Sequence, residues 1–275
     1  MSGVERLTYP DGESAVFKYA TEPLTHEDQI LRIAARCGVP VPRVIGSVAQ
    51  RALLGMVLED LGEPLHEPRD AEAVVAAVHL HRLAIAPCLP VLDASAMAAL
   101  PLQALRQLRL LRESGRWIEG TEDLTVHLEA LARVAPIRAK GATTEPFGWV
   151  HSEFEPASLH IGANGWRLLD FARTFTGPGL LDLASWKGLA KAQPPDPTSL
   201  RALIKAYITA GGSRDVLAYR GGLPPEDWAL GWHRIWAVTW FLEQAHVWIR
   251  KPDRDPGSIK VVRRHLADAV ALLRA

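Results

Sequence analysis

Residues 150–185 read VHSEFEPASLHIGANGWRLLDFARTFTGPGLLDLAS. Short apolar runs alternate with two turn-rich pieces, GANG and TGPG, and polar groups recur at regular positions. Leu159 to Ile161 and Trp166 to Leu169 fit two short strands. Ala163, Asn164 and Gly165 join them, because Asn-Gly supplies the positive φ that a tight hairpin needs. Trp149 and Val150 end a turn or short strand, His151 and Glu153 follow, and EPAS reads as an exposed turn. Asp170 then stands at a strand end. Two acids on rigid elements are what holds a metal ion and a hydroxyl beside a phosphate.

The rest of the chain sets the frame. Its 275 residues, about half of them hydrophobic, suffice for one large domain or two unequal lobes. A net charge of zero points away from nucleic acid and from a polybasic membrane anchor. No apolar run reaches transmembrane length and the N-terminus does not read as a signal peptide, so the expectation is a cytoplasmic protein without a membrane partner. Cys37 and Cys88 lack metal-ligand spacing and are expected to be buried or inert.

Residues 4–8 and 13–19 read as strands around Pro10-Asp11-Gly12, with Lys18 in the second. Residues 25–37 read as a helix, with Thr25 as a possible N-cap, Asp28 three residues on, and Glu27 in the first turn where the helix dipole favours an acid. Val39-Pro40-Val41-Pro42 is extended, since each proline restricts its predecessor. Residues 43–48 and 53–58 give two more strands. Beyond them helices dominate: 70–84, 94–113 with a possible break near Pro101, 122–135, 181–190, 199–210, 225–248 and 258–273. A short helical piece covers 215–220, and loops cover 137–147 and the PPDP run at 194–197. The arginine-rich run LRQLRLLRESGRW is either a solvated face or a docking surface for an anionic substrate or a protein. Trp228, Trp232, Trp236 and Trp240 recur every four residues, which puts them on one helix face, as a core stripe or in part as a pocket wall.

These motifs together resemble the aminoglycoside phosphotransferase family, whose fold is that of the protein kinases. The family pattern is roughly H-G-D-x-x-x-x-N, two strands, a Mg-binding Asp and a D-L-A. Here His151 matches the His, Ser152 stands at the Gly and Glu153 at the catalytic Asp. Ser158 stands at the metal-binding Asn, Asp170 matches the Mg-binding Asp, and Asp182-Leu183-Ala184 matches D-L-A. HEDQILRIAARCGVPVPRVIG resembles the family's first helix and loop, Leu80-His81 its L-H pair, and Glu59-Asp60-Leu61-Gly62 its hinge. The likeness covers nearly all of the chain after residue 4.

It implies an α+β, protein-kinase-like bilobal fold. A truncated small lobe with an antiparallel sheet spans 1–58, a hinge 59–64, and a large, mainly helical lobe 65–275. It further implies an ATP- and Mg2+-dependent phosphotransferase acting on a hydroxyl of a small metabolite or antibiotic. Lys18, placed by Glu27, would hold phosphates; Glu59 and Leu61 would meet the base; Asp170 and Ser158 would hold Mg2+; Glu153 would receive the acceptor proton, with His151 supporting the loop. Sparse acidic runs in the large lobe speak against a polycationic aminoglycoside. Two alternatives stay open. One is a Ser/Thr kinase of a peptide-modification pathway; the other is an inactive kinase-like scaffold. The family's Gly-rich loop is also in question, since only residues 1–3 precede the strand that would follow it. Phosphates would then be held without it, a partner protein would complete the site, or the true start would lie upstream.

Overall fold

In a computed structural model the described residues are 2–188, 196–249 and 251–275. Four strands form an antiparallel sheet: β1 (Ser2–Thr8), β2 (Ser14–Thr21), β3 (Val44–Gln50) and β4 (Leu53–Glu59), in the order β1-β2-β4-β3. Period-two alternation gives the sheet one inner face. Ala20, Leu54, Met56 and Leu58 are buried there, and Lys18, which pairs in register with Met56, shares their burial. Helix α1 (Glu27–Arg36) lays Ile30, Leu31 and Ala34 in the same core. Thr25 does not cap it: its hydroxyl donates to Glu22 Oε1 at 3.1 Å, and the N-cap residue is His26 with no side-chain bond.

The second lobe is helical: α2 (Asp70–His81), α3 (Ala94–Glu113), α4 (Glu122–Arg138), α5 (Leu180–Gly188), α6 (Pro197–Thr209), α7 (Pro225–Glu243) and α8 (Asp255–Leu273). The α3 helix runs through Pro101 without a break. The far end of the expected 225–248 helix is a π-turn at Gln244–Trp248, and residues 215–220 shrink to a 3₁₀ turn at Arg214–Leu217. The expectations for 189–190 as helix and 194–195 as loop lie outside the described residues. Trp228 and Trp232 are fully buried on α7, and both indole N–H groups donate to the carbonyl of Arg138, at 2.6 and 3.2 Å. The open C-terminal carbonyls of α4 are thus partly satisfied by the stripe that packs on them.

Two small ribbons carry the loops of the 150–185 stretch. Strands β6 (Leu159–Gly162) and β7 (Gly165–Leu168) form the expected hairpin, with Gly165 at φ +92°. The TGPG turn is corrected. Residues Phe175–Pro178 are a strand, β8, paired with β5 (Phe147–Val150), so Phe147 is also strand and not loop. The glycines that suggested a turn serve close packing instead. Gly148 and Gly177 face each other in the ladder, and a Cβ on Gly148 would lie 2.5 Å from the carbonyl oxygen of His81 at the end of α2. The ribbons also tie the lobes together: the Leu168 amide donates to the Pro40 carbonyl and the Leu65 amide to that of Ile161. The chain is therefore bilobal, a small antiparallel sheet with one helix against a larger helical body.

Gly148→Ala should destabilise the fold by about 2 kcal/mol or more, because the clash is with backbone and not with a yielding side chain. A drop in the thermal midpoint relative to wild type checks this.

Candidate active site

Lys18 is the junction of the two lobes. Its Nζ donates to Glu27 Oε1 at 2.7 Å and to Asp170 Oδ1 at 2.8 Å. Burial alone would lower the Lys18 pKa, but the two carboxylates outweigh it and the ammonium is held above its ordinary value. Glu27 is pushed up, first by burial, and Lys18 offsets this only in part. Its Oε1 also accepts the Phe171 amide at 3.1 Å, so one oxygen joins α1 to the strand end beyond Asp170. Burial would raise the Asp170 carboxyl, yet the Lys18 ammonium holds it below the usual range. Half of the Asp170 side chain stays exposed, with one oxygen toward Lys18. That is a fit for one carboxylate ligand to Mg2+.

The loop after β5 is fixed from beneath. Asp182, fully buried on α5, accepts the His151 amide at 2.8 Å and the Ser152 amide at 2.9 Å. Ser152 sits at φ +76°, the left-handed region that suits glycine, and the buried carboxylate holds it there. His81 Nε2 lies 3.3 Å from Asp182 Oδ2, and its Nδ1 lies 3.2 Å from the Tyr207 hydroxyl. Because the carboxylate can only accept, Nε2 donates to Asp182. His151 is itself buried, and its Nε2 donates to the Leu169 carbonyl at 2.6 Å, which ties this loop to the strand that delivers Asp170. Asp170 is the second non-glycine residue of the site at positive φ, +61°.

Glu153 projects beyond this frame and pairs with Arg173, Nη1 to Oε1 at 3.5 Å. Ser158 points elsewhere than expected. Its hydroxyl donates to the Glu155 carbonyl at 2.8 Å and accepts the Glu155 amide at 3.0 Å, so it is committed to the local 3₁₀ turn. Glu155 is a nearby acid that the motif does not register. Burial raises its pKa, with further contributions from Glu153 and Asp170.

A cleft of about 320 Å³ opens beside Lys18 and Asp170. Glu59, Leu61 and Gly62 line it from the segment after β4, Val16 and Leu58 from the sheet, and His160 from the β6–β7 hairpin. Arg6 of β1 braces this wall, pairing with Asp60 at 2.8 Å and Glu63 at 3.0 Å. Lys18, Glu27, Glu59, Leu61 and Asp170 therefore share one cavity, whereas Glu153, paired with Arg173, is not part of its lining. Both cysteines, expected to be buried or inert, are exposed. The arginine-rich run is split: Arg106 and Arg109 are exposed, whereas Arg112 bonds the Thr121 carbonyl at 2.7 Å and Arg116 pairs with Asp255.

A model described as the phosphotransferase enzyme family matches residues 6–219. The chain belongs to that family. No curated protein matches its sequence. Among solved structures, it is similar to a choline kinase from Cryptosporidium parvum Iowa II, with a TM-score of 0.63 and 12% identity over 99% of this chain and 89% of that one. A choline/ethanolamine kinase family protein from Mesorhizobium loti gives 0.61 and 16% over 97% and 92%. An aminoglycoside-3'-phosphotransferase of type VIII gives 0.56 and 21% over 86% and 88%. At such identities the structures speak for the fold. The family is one of phosphotransferase enzymes, and the similar structures are those of a choline kinase, a choline/ethanolamine kinase family protein and an aminoglycoside phosphotransferase.

Lys18→Met should lower stability by roughly 3 kcal/mol, because it strands the buried Glu27 carboxylate; denaturant midpoints read this. The pH dependence isolates Asp170. Its pKa is depressed in the fold, so its contribution is present above the ordinary carboxyl value, about 3.9, and lost as pH falls through the folded value. Wild type should gain on Asp170→Asn as pH rises from the acid end, then hold a constant difference at neutrality, in unfolding curves taken across that range.

Proposed function

We propose that the protein transfers the γ-phosphate of ATP to a hydroxyl group, with the cleft beside Lys18 as the nucleotide site. The observation that supports this most is the contact of Lys18 Nζ with Asp170 Oδ1 at the mouth of a cavity walled by residues 59–62. Residues 59–64 act as the hinge, where backbone groups around Glu59 and Leu61 meet the base. Lys18, oriented by Glu27, donates to phosphate oxygens. Asp170 is the residue that holds Mg2+, which when bound neutralises charge on the transferring group. Ser158, with both hydrogen bonds already made to Glu155, is at most an auxiliary ligand. A compartment that supplies ATP, the cytoplasm, suits this reading.

Glu153 accepts the hydroxyl proton on the acceptor side. A carboxylate is a weak base, but a loose transition state demands positioning more than basicity. The positioning comes from Asp182 through the His151 and Ser152 amides. Arg173 holds the Glu153 carboxylate in place; burial pulls the Arg173 pKa down to about 10, which leaves the guanidinium charged at neutral pH.

With labelled ATP and an acceptor panel, Glu153→Gln should cut phosphoryl transfer by about a hundredfold or more while leaving nucleotide binding intact. Asp170→Ala should abolish transfer and weaken Mg2+-dependent nucleotide binding in calorimetry. Full transfer by either variant would remove that residue from the mechanism.

A further inference from the structure

Arg173, the partner of Glu153, lines a second cavity of about 390 Å³. Its wall is mostly apolar, with Leu24, Ile30, Val91, Leu92, Phe175 and Trp236 among its residues. The polar groups are few. Arg173 stacks its guanidinium on two indoles of α7, 3.2 Å from the ring centre of Trp240 and 4.3 Å from that of Trp236. Among the described residues its one hydrogen-bond partner is Glu153, reached through Nη1 alone. Thr174, 3% exposed, lines the same cavity, and its Oγ1 has no partner among the described residues. His26, Cys88 and Glu243 complete the ionisable lining.

Aromatic faces of this kind attract ammonium groups. Here the protein's own cation already occupies them. A positive centre next to the reacting hydroxyl would sit against the Arg173 charge that already covers Trp236 and Trp240. Glu243 lies near enough to Arg173 to support its charge, so the protein's own cation partly answers this carboxylate too. The remaining donors of the planar guanidinium, beside the one given to Glu153, suit an oxygen acceptor close to the hydroxyl.

We infer that this cavity takes an acceptor whose hydroxyl lies two or three bonds from a carbonyl or carboxylate, free or as the serine or threonine of a peptide, and that Arg173 sets this preference. The hydroxyl would face Glu153 while the neighbouring oxygen accepts from Arg173. The inference rests on the phosphotransferase reading for the role of Glu153, but binding tests it separately.

The probes are D-glycerate and N-acetyl-L-serine methylamide on one side, and choline, ethanolamine and kanamycin on the other. Saturation-transfer NMR and quenching of tryptophan fluorescence report binding to the full chain, and ATP consumption is followed in parallel. Wild type should bind a hydroxy-carbonyl probe at least about tenfold more tightly than the amino alcohols, the scale of one charge-assisted hydrogen bond. Glycerate against the serine amide distinguishes a free acid from a peptide source. Arg173→Met should lose that preference and gain affinity for choline on the vacated indoles. Arg173→Lys, which keeps the charge without the fork, should retain part of it; thermal midpoints confirm that both variants fold. Equal or tighter binding of the amino alcohols by wild type overturns the inference, as do binding of neither class and an unchanged preference in Arg173→Met. The two readings fail differently: the expected preference without any transfer sinks the phosphotransferase reading alone, whereas transfer to amino alcohols sinks the acceptor class alone.

Discussion

A single buried ammonium, Lys18, lies between a carboxylate of the small lobe and one of the large lobe. The small-lobe acid, Glu27, would not tolerate its surroundings alone. Glu27 is almost wholly buried, and removing an ion from water costs several kcal/mol unless a partner compensates. The contact therefore does more than join side chains. It makes the position of α1, the inner face of the sheet and the loop after β7 conditions of one another. Everything between the lobes, the cleft included, is shaped by that mutual dependence.

A second buried carboxylate organises the loop after β5. Asp182 is satisfied by two amides and the His81 imidazole. The bonds to the amides fix backbone and not side chains, and so set the height at which the loop carries Glu153. Ser152 shows how far the constraint goes. A residue with a Cβ is kept where glycine would rest easily, because releasing it would leave Asp182 with an unpaired buried oxygen.

Much of this was legible from residue patterns. The two hairpins, the small sheet with its helix and the helical remainder follow from periodicity and turn chemistry. Lys18, Glu27, Glu59, Leu61 and Asp170, named from motif resemblance, do share one cavity. The failures are informative. TGPG looks like a turn because glycine and proline usually punctuate; here Gly177 faces Gly148 in a ladder and Gly179 lies against the His81 ring of α2, a tertiary demand with no local signature. Thr25 has the type of a cap but bonds backwards to Glu22. Ser158 occupies a ligand's position while bonding its own loop. The regular tryptophan spacing was visible, but the split was not: Trp228 and Trp232 anchor α4, whereas Trp236 and Trp240 flank Arg173. Only the crossing of α7 past the Asp170 loop decides that, and spacing along one helix carries no such information.

The shared oxygen of Glu27 has a mechanical corollary. Its Oε1 takes both the Lys18 ammonium and the Phe171 amide, so an outward tilt of α1 would sever the two links at once. Such a joint does not yield by degrees; it latches or it lets go. Whatever presses on the outer side of α1 thereby has leverage over Asp170 without touching it.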